Sequence, residues 1–426
     1  MPVRWCLNLS YTNPIKKCNF HIFIRCRAEM ALKSYVIFLP TKKISKLGEK
    51  HIFFVEYMIE TESKKVYNIN ILHLVKGLTD MKALLKLKKG DGYVEIAECE
   101  KPVPKKDEVL IRVHYTGICG TDIHILHDQF SYWPPVIMGH EFSGVIEETG
   151  AEVTGLKKGD RVVGEPHNLA CGKCHLCRSG KIQICDSKRS IGWGINGAFA
   201  PYLVMPEKLL HKIPGNVSMQ SAAMAEPCAI VAHQLLERTG VTVGDYVVIM
   251  GMGTIAVLAA QMAKAAGASR VVMCGCDSDT GMRLDIVNKL NCCDLFVNVQ
   301  REDIISLVKK ETEGKGADIS VEASGAEAAI GNAVGCLKKT GRLCAIGLSG
   351  KKEISFPWNE AMTKAIDVQF NMSSSYNGWV IALKMLESKT LRVDGMIKIM
   401  ELEEWKEAFD MLEKGKAMKI LLNCKE

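Results

Sequence analysis

The chain has 426 residues, 47% hydrophobic and 24% charged, the composition of a soluble globular protein of two or three domains at roughly 150 residues each. Its formal charge of +7 arises wholly in the first 80 residues, where 13 Lys and Arg face 6 Asp and Glu; the rest balances at 42 against 42, without the clustered basic footprint that nucleic-acid or membrane-surface binding needs. Seventeen cysteines with no secretory leader pattern indicate a reducing, cytoplasmic compartment rather than a disulfide scaffold.

Residues 1–80 hold only two of the 36 glycines, Gly48 and Gly77, and show no sustained period. They are expected to be an extension foreign to the body, with a misassigned start as the favoured origin, because ordinary strand-and-turn patterning opens at Met81. From about 109 to 214 the chain reads as short strands punctuated by Gly and Pro, as in EFSGVIEETG, GDRVVGEP and GAFAPYLVM, which predicts a β-rich domain. Between about 219 and 347 the apolar runs DYVVIM, RVVMC, LFVN, ADISVEA and GRLCAIG alternate with helical stretches, the signature of a doubly wound parallel sheet. The uncharged run 246–263 just reaches the length of a membrane span, but Gly251, Gly253 and Gln261 interrupt it and its strand-like start gives way to an Ala-rich helix, so no span is expected. After about 365 the elements are mixed, ending in the helix ELEEWKEAFDMLEKG and the strand MKILLN.

Three constellations carry chemistry. Cys171, Cys174, Cys177 and Cys185 have C-x2-C-x2-C-x7-C spacing in a Gly/Lys-rich loop, which lets four thiolates enclose one metal; zinc is favoured over an iron–sulfur centre, and a full thiolate set marks the site as structural. Cys119 in GICGTDIH with His140 and Glu141 in MGHEFSG forms a looser set that alone reads more readily as structural, yet three such ligands with one open position suit catalytic zinc. Asp122 is placed to accept from the ring N–H of a ligand histidine, and Glu226 in AEPCAIVAH is a further carboxylate able to bind or release the metal. The third set follows the strand DYVVIM: Gly251, Gly253 and Ala256 in G-x-G-x-x-A open a helix, where a backbone approaches a pyrophosphate. The acid expected to close the next strand and hold a ribose is replaced by Gly275, and Asp277 is the nearest carboxylate.

With GICGTDIH, GHEFSG, the four-cysteine loop, GINGAFAPYLV, AEPCAIVAH, GMGTIA, VEASG and GRLCAIG in this order, residues 81–426 resemble the zinc-dependent medium-chain dehydrogenase/reductase family, closest to its sorbitol and threonine dehydrogenase branch. The resemblance implies an α/β chain with a GroES-like β-rich catalytic domain over 81–225, a Rossmann doubly wound parallel sheet over 226–364, and a return to the catalytic domain over 365–426. It implies Cys119, His140 and Glu141 as catalytic zinc ligands, Glu226 in the manner of the polyol branch, and Thr121 and His124 as a proton relay. It also implies a homodimer or homotetramer.

The resulting expectation is a cytoplasmic oxidoreductase with two zinc ions per subunit that moves a hydride between a secondary alcohol, a polyol or hydroxy amino acid, and NAD, with NADP the other choice. The rival reading is a non-enzymatic zinc- and nucleotide-binding homologue on the same fold. Phe130, Tyr132 and Trp133 in the loop 126–135 are expected to wall the pocket, while His21, His51, His73 and His211 receive no role.

Overall fold

The computed structural model describes residues 80–370 and 372–424 and, before them, five strands. The chain divides into two compact units, Met1–Thr79 and Asp80–Glu426. In the first, Trp5–Leu9, His21–Ala28 and Ala31–Phe38 form an antiparallel sheet and Met58–Glu60 pairs with Val66–Asn68. The remainder of the expected extension lies outside the described residues, as do the side chains of His21, His51 and His73.

The second unit opens with β1 (Asp80–Lys86), β2 (Val94–Glu100) and β3 (Glu108–Gly117), followed by α1 (Gly120–Leu126), β4 (Val136–Ile137), β5 (Glu141–Thr149) and β6 (Arg161–Gly164). Strands β7 (Tyr202–Pro206) and β8 (Leu210–Lys212) complete the β-rich half. A small sheet orders β2-β1-β4, and a seven-stranded sheet begins β8-β6-β5-β3 with β7 also on β3. Val109, Ile111 and Val113 alternate along β3 onto a core shared with Phe142, Phe199 and Leu203, the period of a sheet with one buried face. That sheet is finished from far along the chain: β15 (Ile397–Glu401) and β16 (Lys419–Asn423) join through an antiparallel pairing of β16 with β3, flanked by the helix Trp405–Glu413.

Between them, β9 (Tyr246–Met250), β10 (Arg270–Gly275), β11 (Leu295–Asn298), β12 (Ala317–Glu322), β13 (Leu337–Ala345) and β14 (Asp367–Phe370) form a wholly parallel sheet of order β11-β10-β9-β12-β13-β14. Every residue of β9 is buried, as a central strand covered on both faces requires. The run 246–263 therefore splits into β9 and α3 (Thr254–Ala265), and no described helix is long and apolar enough to cross a membrane. Ala256, Ala259, Ala260 and Ala263 are fully buried, so small side chains let α3 lie close to β9, β10 and α2 (Ala225–Val231). Strand order reverses between β9 and β12, which opens a crevice beyond their carboxyl ends, at Gly251 and at residues 323–325.

All three hydrophobic clusters found among the described residues draw on residues from Met81 onward, and Met81 itself is buried opposite Cys99. A chain beginning at Met81 is therefore expected to keep the cooperative unfolding and Tm of the full chain. A lowered Tm by calorimetry, or insoluble protein, would contradict this.

Candidate functional site

The looser metal-type set is assembled by strand register. Glu141 pairs with Gly117 across β5 and β3, and Leu421 of β16 pairs with Gly117 from the other side. A Cβ on residue 117 would collide with the Glu141 carboxylate and lie 3.0 Å from Lys419 Cε, so glycine makes room for both side chains. Lys419 forms an ion pair with Glu141 and donates to Ile118 O at 2.8 Å, which ties the carboxylate to the backbone just ahead of Cys119. The two are 4% and 1% exposed.

Cys119 adopts extended backbone as the N-cap of α1, and Asp122, at the third helical position, accepts from its N–H at 2.9 Å. The other Asp122 oxygen faces His140 Nδ1 at 3.8 Å, and both atoms are buried without a hydrogen-bond partner. His140 sits between Gly139, whose φ of +85° only glycine adopts easily, and the first residue of β5. One ligand atom each from Cys119, His140 and Glu141 lies within 4.8 Å of the other two. Glu226, buried in the first turn of α2, is not in that group but acts on it electrostatically.

Cys119, Glu141 and Glu226 thus share the buried ammonium of Lys419, and Glu226 is also drawn to Lys188. Burial, reinforced by Glu141 and Asp122, raises the Glu226 carboxyl to about 7 against the pull of His140 and Lys419. Burial disfavours the His140 imidazolium, yet Asp122 and Cys119 outweigh it and hold its pKa well above the ordinary value. Both groups gather protons to offset excess negative charge, the offset a divalent cation provides.

Thr121 and His124, spaced i,i+3 on α1, share a face of the helix. The Thr121 hydroxyl lies 3.8 Å from the Cys119 sulfur, and His124 Nδ1 is 3.1 Å from Gln129 Oε1. Trp193 stands edge-on to His140, with ring centroids 4.9 Å apart, and edge-on to Phe130 at 5.6 Å. Of the three aromatics expected at the pocket, Phe130 is joined to the site in this way. Tyr132 is instead buried with its hydroxyl on Asp128 and Gly90 N, and Trp133 lies beneath Arg189. His211 is a structural tie, 2.9 Å from Glu165 Oε1 and stacked on Trp379.

In the four-cysteine loop, Sγ atoms of Cys171 and Cys177 are 4.0 Å apart and those of Cys174 and Cys185 3.9 Å. A zinc tetrathiolate with ~2.3 Å bonds has edges of ~3.8 Å. Amides of Cys171, Cys174 and Cys177 donate to the sulfurs of Cys185, Cys171 and Cys174, each at 3.4 Å. Such donors draw the Cys185 thiol down to about 6, whereas burial and the neighbouring sulfurs push Cys177 up to about 12: four thiolates need a cation among them.

At the crevice of the parallel sheet, Gly251 has φ +121° and Gly253 caps α3 with no side chain over its first turn. A Cβ on Gly253 would point into open space, while Ala256 is packed inward. This leaves the first-turn N–H groups of a 12-residue helix facing the crevice, an anion-binding end. Asp277 is drawn aside: Asn298 donates to it at 2.6 Å and Arg301 pairs with it at 2.7 Å, which together lower its pKa.

Residues 105–215 match the family model of the alcohol dehydrogenase GroES-like domain, and residues 254–388 that of the zinc-binding dehydrogenases. The chain is 37% identical over 343 residues to a sorbitol dehydrogenase of Halalkalibacterium halodurans, covering 80% of this chain and 99% of the relative. It is 33% identical over 352 residues to an L-threonine 3-dehydrogenase of Marinomonas sp., with 80% and 99% covered. The solved alcohol dehydrogenase of Thermus sp. ATN1 superposes with a TM-score of 0.73 at 27% identity, covering 80% of this chain and 99% of that one.

Replacing Lys419 by Met would leave Glu141 buried without its counter-ion. A loss of about 3–5 kcal/mol is expected, as for breaking other buried pairs, measurable by denaturant unfolding of metal-stripped protein. Unchanged stability would show that the pair does not hold the site.

Proposed function

Because the chain belongs to the zinc-dependent medium-chain dehydrogenase/reductase family, we propose that it oxidises a secondary hydroxyl of a polyol or hydroxy amino acid, with a nicotinamide dinucleotide as hydride acceptor. The observation that carries this reading is the convergence of Cys119, His140 and Glu141, with ligand atoms within 4.8 Å of one another, beside the buried carboxylates of Asp122 and Glu226. Both thiolate-bearing clusters have the donor chemistry of zinc, and the glycine-rich helix end has the room and polarity for a pyrophosphate.

Bound at Cys119, His140 and Glu141, zinc supplies Lewis acidity that lowers the pKa of a substrate hydroxyl. Asp122 orients the His140 ring, and Lys419 holds Glu141 against β3. The Thr121 hydroxyl accepts the released proton as it gives up its own O–H proton toward His124, which, held by Gln129, releases a proton to solvent. Trp193 and Phe130 exclude water from one side of the ligands. Glu226, buried and poised near neutrality beside the three ligands, adds a carboxylate whose charge responds to theirs. The Cys171, Cys174, Cys177 and Cys185 site leaves no open position and serves the fold.

Elemental analysis is expected to find two zinc ions per chain. Cys174→Ser should lose one and lower the Tm. Cys119→Ala should lose the other and abolish turnover across a panel of sugar alcohols, threonine, butanediol and simple secondary alcohols, with dinucleotide binding kept. Thr121→Val should retain zinc yet cost roughly 100-fold in kcat, as for loss of a relay group. Wild-type turnover by Cys119→Ala would sink the mechanism, and an inactive wild type that still binds zinc and dinucleotide would favour the non-enzymatic homologue.

The exposed edge of the parallel sheet supports self-association. Strand β14 pairs only with β13 among the described residues, and Phe370 at its end is 73% exposed; Trp358, Met362 and Met372 are exposed as well. Phe370→Lys is expected to shift the mass measured by light scattering from dimer or tetramer toward monomer. A monomeric wild type, or an unshifted variant, would exclude this edge as the interface.

A further inference from the structure

In a dinucleotide fold of this topology, a carboxylate at the end of the second strand accepts from the ribose 2′-OH and excludes a 2′-phosphate. Here that strand, β10, ends in Gly275 and offers no side chain. The space is not vacant. A Cβ on residue 275 would meet Met252 Cγ at 2.7 Å, Phe296 Cε2 at 3.0 Å and Asp279 Oδ2 at 3.0 Å, so the one polar group occupying the missing side chain's place is the carboxylate of Asp279.

The local chain explains how it gets there. Beyond β10 the backbone turns through a short 3-10 segment, Asp277–Asp279, which folds residue 279 back onto the strand end. Asp279 Oδ2 accepts from Cys276 N at 2.9 Å and Oδ1 from Arg283 Nη1 at 2.7 Å, with the side chain only 9% exposed. Each carboxylate oxygen has a second lone pair, so the group retains acceptor capacity. Asp277 faces the other way, toward Asn298 and Arg301, with its side chain 54% exposed.

We propose that Asp279, rather than Asp277, is the ribose-recognising acid and selects NAD over NADP. The proposal rests on the dinucleotide reading above. Asp279 acts twice: its charge repels a 2′-phosphate, and by pairing with Arg283 it withholds that guanidinium from one. Removing the charge should therefore both relieve the repulsion and release a phosphate ligand.

The test is titration of NADH and NADPH by nicotinamide fluorescence on the full-length protein, which needs no turnover. Wild type is expected to bind NADH more tightly by ~10-fold or more, and Asp279→Asn to shift the ratio toward NADPH by ~10-fold or more, chiefly through a gain in NADPH affinity. Asn keeps an acceptor for Cys276 N, and a merely structural loss would weaken both dinucleotides alike and leave the ratio unmoved. Asp277→Asn should keep the wild-type ratio. Arg283→Leu, which strips the cation from an intact Asp279, should sharpen the preference for NADH and serves if Asp279→Asn fails to fold. An unmoved ratio in Asp279→Asn or Arg283→Leu, or the shift appearing in Asp277→Asn instead, would overturn the assignment, as would a wild type that binds both equally. A wild type that binds neither would remove the dinucleotide reading itself.

Discussion

The organising constraint of this molecule is buried negative charge. Cys119, Asp122, Glu141 and Glu226 converge around the fully buried ammonium of Lys419, with Lys188 acting on Glu226 as well. Taking charges out of water costs several kcal/mol per ion unless partners are close and well oriented. The fold meets that demand by register: Gly117 opens a gap in β3, β5 places Glu141 into it, and β16 brings Lys419 to the same gap. His140 and Glu226 both have raised pKa values, the response of groups set among carboxylates, and a divalent cation at the three ligands would meet the same demand.

What could be read from the sequence was what is local in the chain. The four cysteines fall within 15 residues, and their sulfurs meet at tetrahedral spacing without help from distant strands. The glycines after DYVVIM are likewise legible, because a strand, a tight turn and a helix start are consecutive events. Alternation of apolar runs and helices identified the parallel sheet, since strands buried on both faces show continuous hydrophobicity. Cys119, His140 and Glu141 were readable as residue types, but their meeting depends on β5 lying beside β3.

Contacts set by remote register or by a single turn were not legible. Lys419 sits at the start of an apolar strand, where a lysine ordinarily marks the solvent-exposed end. Trp193 is 53 residues from the histidine it abuts, and no local motif ties the two together. Tyr132 was expected at the pocket together with Phe130 and Trp133, yet its ring is buried and its hydroxyl is taken by Asp128, four residues back in the chain. At the ribose position, counting along the chain selects Asp277, whereas the turn after β10 reverses direction and returns Asp279.

Strand β16 has a consequence for folding. Lys419 reaches Ile118 across 301 residues of chain and pairs with Glu141 from the same place, so the loop closed by these contacts contains the entire parallel sheet. Non-local pairings of this kind are intrinsically slow to form. Assembly of the ligand set therefore belongs to the high-contact-order part of folding, whereas the four-cysteine loop, closed within 15 residues, belongs to its local part.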